Sequence, residues 1–537
     1  MYSDFVAMAK EISNYSYTEN GALAYKSTGN KVLDAFGSLG AMKDSDAKDI
    51  LNTFYGAFYE DRALAMKLLF YMRDIRGGQG MRRVFRIIAA SLAKTHPEYI
   101  INNLDNFLFF GRGDDYLCLI DTPCEGAMIS ELSKILAEDI SSVRKGGSCS
   151  LLAKWMPSEN TSSFETKALA SKIRNKLKFS SRDYRKMLSA LRKEIGIVES
   201  KMSQNRWDEI DFEKLPAKAA MIYSDAFAKH CFDKYAKYLA DLSVGNSKIN
   251  AKSLFPVDII HKILECSSIS DTWSNRAGTT QASTKDKIVW DAMWKALPNY
   301  FGDTEETGIC CIDTSGSMTG TPVEVALSLG IYCADKCKGP FKNHFFTFDT
   351  KPNFQTIEGD NIVDKVVSIK EINARNTDFE ACLNMILNIA IRKNLKQEDL
   401  PTKLYVISDM QFDVARNNDP YSWSYPRKFQ NPKPFMKGMV EKYADAGYVM
   451  PAIVYWNVRA SKCAMFHETI DGTDCCMVSG YSPSLFKAVI DGTQWEEETV
   501  VDSKTGEVKK TLKQKIDPIE VMKTTLNNER YDRVYTG

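Results

Sequence analysis

Residues 308–318 read GICCIDTSGSM. Ile309, Cys310, Cys311 and Ile312 form an unbroken apolar run, the pattern of a strand buried on both faces of a parallel sheet. Asp313, Ser315 and Ser317 follow at once, and a helical pattern begins at about residue 322. In a doubly wound sheet, ligands bind beyond the carboxyl ends of the strands, at the point where the winding reverses. The stretch therefore aims one carboxylate and two hydroxyls at a binding crevice. The bare pattern DxSxS arises by chance in roughly one chain in ten of this size, so its position after a buried strand carries the weight.

Working outward, further strand runs occur at Gly308–Ile312, His344–Phe348, Leu404–Ser408, Tyr448–Tyr455 and Cys475–Val478. Helical stretches at 322–337, 378–392 and 435–445 separate them. Strands alternating with helices predict an α/β doubly wound domain with helices on both faces of a mostly parallel sheet. Val414–Lys437, rich in Pro, Asn and Tyr, reads as a surface insertion. Two more oxygen donors fall where a site at the switch point needs them. Thr377, in ARNTDFE, opens a helix, and Asp409, in LYVISDM, ends a strand. Asp313, Ser315, Ser317, Thr377 and Asp409 give two carboxylates and three hydroxyls. That set suits a hard divalent cation such as Mg²⁺, which keeps several of its waters. Neutral hydroxyl ligands leave the ion net positive, with an open position for an acidic side chain or a phosphate. Thr350 and Thr356 compete with Thr377 for the fifth role. Two plainer readings stand beside this one. Ser315 and Ser317 cap the helix while Asp313 bonds to backbone, or a formed site serves stability alone.

Residues 1–268 have a different grammar, with short amphipathic helices joined by short turns. Helical patterns run at 61–75, 81–93, from Pro97 to 110, and then at about 127–144, 164–177, 181–195, 217–229, 231–243 and 256–267. Paired short helices predict an all-α solenoid or ring of HEAT-like repeats. Residues 269–304 read as a linker and a bridging helix, 305–492 as the α/β domain, and 493–537 as a tail that packs back on the body.

Composition bounds the function. The chain has 537 residues with 70 Lys+Arg, 69 Asp+Glu and a formal net charge of +1. That excludes a uniformly basic binder but not a basic face balanced elsewhere. Two runs break the neutrality. Tyr71–Arg86 carries Arg73, Arg76, Arg82, Arg83 and Arg86 against Asp74, and Ser171–Lys193 carries nine basic residues against Asp183. A solvated helix face is the plain reading of such runs. The sharper one is a path for nucleic-acid phosphates, with Phe179 and Tyr184 as rings for unpaired bases. The residues assigned to it are Arg73, Arg76, Arg82, Arg83, Arg112, Lys172, Arg174, Lys176, Lys178, Arg182, Arg185 and Lys186. Gly77, Gly78, Gly111 and Gly113 either open backbone N–H groups to phosphate or stop helices. The 13 Cys include no CxxC. Neighbours on a strand point to opposite faces, so Cys310-Cys311 and Cys475-Cys476 are expected as reduced core thiols of a cytoplasmic protein. The five His lie in no hydrolase motif, no apolar run is long enough for a membrane helix, and the start carries no signal-peptide pattern.

The segments DxSGSM and ISDM resemble the von Willebrand factor A domain and its metal-ion-dependent adhesion site. The resemblance carries over Asp313, Ser315, Ser317, Thr377 and Asp409 as the five ligand positions. The order RDIRGGQGMR, GRGDDYL, KWMPSENTSS, DYRKMLSALRKEIGIVE, then DTSGSM, ISDMQFD, GYVMPAIVYWNV and VSGYSPSLFKAVIDG closely resembles a family found in plants, fungi and large DNA viruses. More distantly it is similar to the TROVE proteins, the Ro autoantigen family. That likeness implies a HEAT-like ring that binds small noncoding or misfolded RNA, braced by the von Willebrand domain. The expectation is thus a non-enzymatic, Mg²⁺-holding ribonucleoprotein component. The alternative is a metal-dependent adaptor for an acidic protein ligand, with a metal-dependent nuclease ranked third.

Overall fold

Apolar strands that must be covered on both faces set the architecture. The computed structural model describes residues 13–19, 23–266, 282–304, 307–348, 352–369, 378–412, 435–460, 466, 475–501 and 508–537. Its strands are β1 (Tyr15–Tyr17), β2 (Leu23–Tyr25), β3 (Ile309–Ile312), β4 (His344–Thr347), β5 (Asn353–Thr356), β6 (Lys403–Ser408), β7 (Ala452–Asn457), β8 (Cys475–Ser479), β9 (Thr493–Val501) and β10 (Val508–Ile516). Six of them form one sheet in the order β5-β4-β3-β6-β7-β8. β3 pairs in parallel with β4 and β6, and β7 and β8 continue in parallel beyond β6. β5, which no apolar run announced, closes the other edge antiparallel to β4. The chain starts mid-sheet, winds out to β5 and returns to the far side of β3, so the winding reverses between β3 and β6.

Register sorts the side chains. Cys311, Val406, Ile453 and Tyr455 belong to one buried cluster with Phe379, Cys382, Leu383 and Tyr443 from the helices Phe379–Lys393 and Phe435–Asp445. On the other face Tyr405 and Trp456 meet Phe486 of the helix Ser484–Asp491 at ring distances of 4.9 and 4.7 Å. The expected divergence of Cys310 and Cys311 is observed. Cys311 Sγ lies 3.3 Å from Cys382 Sγ, while Cys310 lies toward Gly330 of the helix Thr321–Lys336. The described cysteines are free thiols.

The chain divides into two compact units, Met1–Asp49 with Phe255–Thr525 and Ile50–Leu254 with Leu526–Gly537. This differs from the boundaries read in the sequence, for identifiable reasons. The early residues are stitched into the α/β unit. Tyr25 exchanges backbone bonds of 2.7 and 3.1 Å with Phe466, and Gly40 N donates to Ser479 Oγ at 3.0 Å. A methyl on Gly40 would stand 2.2 Å from the Ser479 carbonyl oxygen. The bridging helix, Thr284–Lys295, is also part of this unit through Trp294 Nε1, which donates to Asp335 Oδ2 at 2.9 Å. The acidic and basic strings of the tail form an unforeseen ribbon, β9 against β10. Cross-strand charges stabilise it: Lys515–Glu496 at 3.2 Å and Lys513–Glu498 at 3.1 Å.

The second unit is helical. Asp61 caps the helix Arg62–Arg73, accepting from Leu64 N. The single helix expected from Pro97 is two, Pro97–Ile101 and Leu104–Phe110. That expected at 217–229 is likewise split, into Ala217–Ile222 and Ser224–His230. Phe70, Phe85, Phe107 and Phe110 form an aromatic core with ring distances of 5.1–6.2 Å. Val198, Ile210, Phe212, Phe227 and Tyr235 make a smaller separate one. The last residues of the tail belong to this unit.

Gly330 tests the packing against β3. A methyl there would lie 2.1 Å from Ile312 Cδ1. Gly330→Ala is expected to cost about 1–3 kcal/mol by overpacking, and Ile312→Val, which removes that Cδ1, is expected to restore part of the loss in the double variant. Thermal melts of the three variants check this.

Candidate functional site

The β-ladder continues one residue past β3, where Asp313 N donates to Ile407 O at 2.9 Å. That bond draws the Asp313 side chain to the end of β6. Its Oδ2 accepts from Ser408 Oγ at 2.5 Å and its Oδ1 from Ser315 N at 2.9 Å. Ser408 Oγ in turn accepts from Met410 N at 3.0 Å. Ser315 Oγ and Ser317 Oγ stand 3.1 Å apart, and Asp409 hydrogen-bonds the Ser317 side chain. Thus Asp313, Ser315, Ser317 and Asp409 are gathered at the carboxyl ends of β3 and β6, at the winding switch point. Met410, with φ 67, turns the chain immediately after Asp409. Arg459, beyond β7, donates through Nη1 to Ser317 O at 2.6 Å. Thr377 and Thr350 lie outside the described residues; Thr356 ends β5, where its hydroxyl meets His344 Nδ1 at 3.0 Å.

Asp313 is fully buried and Asp409 nearly so. Burial, then the neighbouring Asp409 charge, pushes the Asp313 carboxyl up to about 6 against the bonds from Ser408 and Ser315. Burial likewise raises Asp409, opposed by Ser317, Gln411 N and the Arg459 charge. Two raised carboxyls beside two hydroxyls form an oxygen-only donor set, which fits Mg²⁺ better than a softer ion. Among the described residues no group of three His, Cys, Asp or Glu offers a metal site of the carboxylate or thiolate kind. A site here would depend on its hydroxyls. Ser408 and Arg459 escaped sequence reading. Ser408 was legible as the residue ending the strand before Asp409, whereas Arg459 lies 142 residues from Ser317 and left no local signal.

The basic residues are differently disposed. Arg73 is buried and bound to Asp115 at 2.7 Å, so its expected place on a ligand-facing surface is corrected. Arg86 joins both acids, Asp114 at 2.9 Å and Asp115 at 2.7 Å. Arg112 binds Asp114 at 2.5 Å and lies 3.7 Å over the Trp155 ring. Together these hold Asp114 down to about 2, the two arginine hydrogen bonds and their charges outweighing burial. The GRGDD element is therefore an internal charge network. Lys172 pairs with Asp121 at 2.5 Å, Arg174 with Glu159 at 2.9 Å, Lys176 with Glu125, and Arg185 with Glu159 at 3.9 Å. Tyr184 is fully buried, its hydroxyl donating to Pro157 O at 2.9 Å, so it is no stacking platform; Phe179 is half-buried. Arg76, Arg82, Arg83, Lys178, Arg182 and Lys186 are exposed. The RGGQG loop spends its N–H groups internally. Gly78 and Gly80 N donate to Asp74 O, and Gln79 N to Tyr71 O, at 3.0–3.1 Å. A methyl on Gly78 would stand 2.0 Å from Tyr71 O, so close packing accounts for that glycine.

Two family descriptions match this chain. Domain of unknown function DUF2828 covers residues 18–110 and 128–303, half of its length. The chain belongs to the DUF2828 family. Domain of unknown function DUF7788 matches residues 307–526, the stretch holding the Asp313 site. This DUF2828 protein is also similar to uncharacterized protein L728 of Acanthamoeba polyphaga mimivirus, 28% identical over 522 residues, covering 90% of this chain and 86% of that one.

A carboxyl that ionises near 6 in the folded chain and near 3.8 in the unfolded one binds its proton more tightly when folded. In chelator, its contribution is therefore most favourable below about pH 4 and declines as pH rises to about 6, by on the order of 3 kcal/mol. Asp313→Asn removes that decline. The metal-free variant is expected to melt above the parent chain at pH 8 and to lose that advantage at pH 4, as read by thermal melts in EDTA.

Proposed function

We propose that this chain is a non-enzymatic binding protein whose α/β unit, akin to a von Willebrand factor A domain, grips an acidic side chain of a protein partner through a bound Mg²⁺. The observation that carries the reading is the convergence of Asp313, Ser315, Ser317 and Asp409 at the switch point between β3 and β6. Asp313 and Asp409 would hold the ion with the Ser315 and Ser317 hydroxyls, and Thr377 is assigned the fifth position by the resemblance alone. When bound, the ion supplies a Lewis-acidic site for an incoming carboxylate. The chain's own part is to hold the donors in place. Ser408 fixes the Asp313 carboxylate, and Arg459 pins the Ser317 backbone.

A second reading, RNA binding by a TROVE-like helical ring, has one specific observation behind it. On the helix Ser181–Ile195, Tyr184, Met187, Leu188 and Leu191 face inward. Arg182, Lys186 and Lys193 are exposed at positions spaced four and seven apart, which share one face. This stripe is smaller than the sequence suggested, because Arg73, Arg112, Lys172, Arg174, Lys176 and Arg185 are engaged with acids of their own unit. The adaptor reading therefore ranks first.

Titration of Mg²⁺ into the full chain by calorimetry is expected to show one site, abolished in Asp313→Asn and Asp409→Asn and weakened in Ser408→Ala. Partner capture should fail in Asp313→Ala and survive nuclease. Metal binding unchanged in both carboxylate variants would refute the site.

For the second reading, the triple change Arg182→Ala, Lys186→Ala, Lys193→Ala is expected to weaken single-stranded RNA binding about tenfold or more and lower its salt slope by about two. Unaltered binding over a salt series would remove this face from consideration.

A further inference from the structure

The end of the chain, RYDRVYTG (530–537), meets the helical unit as a peptide meets its receptor. It does not continue from that unit's own sequence but arrives after residue 525 of the other. Side-chain amides read its backbone. Asn103 accepts from Tyr535 N through Oδ1 at 2.9 Å and donates through Nδ2 to Tyr535 O at 2.9 Å. Asn106 Nδ2 donates to Arg533 O at 3.2 Å. Both asparagines are fully buried and joined to each other at 2.8 Å. One amide that both accepts from and donates to a single residue's backbone recognises chain geometry rather than a side chain.

Side chains supply the specificity. Arg530 donates with Nε and Nη2 to the buried Asp74 carboxylate, and the Tyr531 hydroxyl donates to the same group at 3.2 Å. Arg533 reaches Asp105 at 2.9 Å and lies 3.9 Å over the Phe109 ring, with Arg530 5.1 Å from the same ring. Tyr531 stacks on Phe110 at 5.5 Å, and Tyr535 lies 6.1 Å from Tyr99. Gly77 makes room, since a methyl there would stand 3.0 Å from Arg530 Cδ. Two cation sites, two aromatic contacts and a backbone clamp converge on six consecutive residues.

We infer that the helical unit carries a recognition groove for the peptide Arg-Tyr-x-Arg-x-Tyr, and that this chain's own C-terminus is its resident, displaceable ligand. Tethering places the resident at an effective concentration near millimolar, so a free copy of the segment enters only when the tether is cut or the resident is weakened.

Fluorescence anisotropy of a labelled peptide spanning residues 527–537 tests this. The peptide is expected to bind a chain ending at Leu526 at least tenfold more tightly than the full chain. Asn103→Ala in the shortened chain, or Ala at both peptide arginines, should each cost tenfold or more. The full-length chain carrying Arg530→Ala and Arg533→Ala keeps the test independent of truncation. Its resident tail is weakened, so it should take up the peptide more tightly than the parent does. Absence of binding to a shortened chain that still melts cooperatively would overturn the inference. Should the shortened chain not fold, equal uptake by the full-length double variant and the parent would overturn it instead.

Discussion

The hydrogen bond from Ser408 to Asp313 joins the carboxyl ends of the two central strands, and much of the α/β unit follows from what it requires. It needs β3 and β6 adjacent and parallel, which the register Ile309↔Leu404 to Ile312↔Ile407 provides. Parallel neighbours require crossovers, and crossovers place helices on both faces. The strands are then buried on both sides, and Gly330 lets the helix Thr321–Lys336 approach Ile312 closely. The carboxylates consequently sit in a low-dielectric crevice, which is also where a doubly wound sheet leaves room for a ligand.

The helical unit meets buried charge differently. Asp115 is fully buried between Arg73 and Arg86, and Asp74 is fully buried against Arg530. Removing one partner of such a pair strands the other and typically costs 3–5 kcal/mol. Two of the five arginines in the run Tyr71–Arg86, Arg73 and Arg86, are thus the complement of an acid distant in the chain, as Arg530 is of Asp74. Asp115 is 42 residues from Arg73, and Asp74 is 456 from Arg530. Local charge counting treats a run as a surface, and pairing across the fold converts part of it into interior.

What was legible follows the same division. Strand runs and the DxSxS segment were readable because burial on both faces leaves an unmistakable apolar string and chemistry follows at its end. Helix Ser181–Ile195 was placed to the residue because Ser180 caps it and Gly196, in the left-handed region at φ 68, stops it. β5, with Phe354 and Gln355 at a sheet edge, carries no such string. The β9–β10 ribbon is held by Glu–Lys pairs, which read as a polar tail. The compact units divide the chain differently from the sequence pattern because Gly40, Ser45 and Tyr25 are tied to the α/β unit by hydrogen bonds across more than 400 residues, and no local pattern encodes these.

A comparison of buried aspartates bears on the metal reading. Asp115 and Asp74 each meet a guanidinium. Asp139 is held by Ser150 N and Ser150 Oγ at 2.7 Å each. Asp313 likewise has neutral donors, Ser408 Oγ and Ser315 N, but a second buried carboxylate, Asp409, adds to its burial in raising its carboxyl. Arg459 spends its Nη1 bond on the Ser317 carbonyl. Two buried acids placed together, bonded to hydroxyls and backbone N–H groups with the Arg459 charge only partly offsetting their burial, are an unfavourable arrangement for a fold to retain for packing alone. Replacing either acid by a neutral isostere would relieve the repulsion at once. The arrangement becomes favourable when a divalent cation shares both carboxylates, because the same burial that raises them then strengthens their attraction to the ion. Hydroxyl ligands add no further negative charge, so the ion would retain affinity for one more acid from outside, and that residual charge is what a partner's carboxylate would complete.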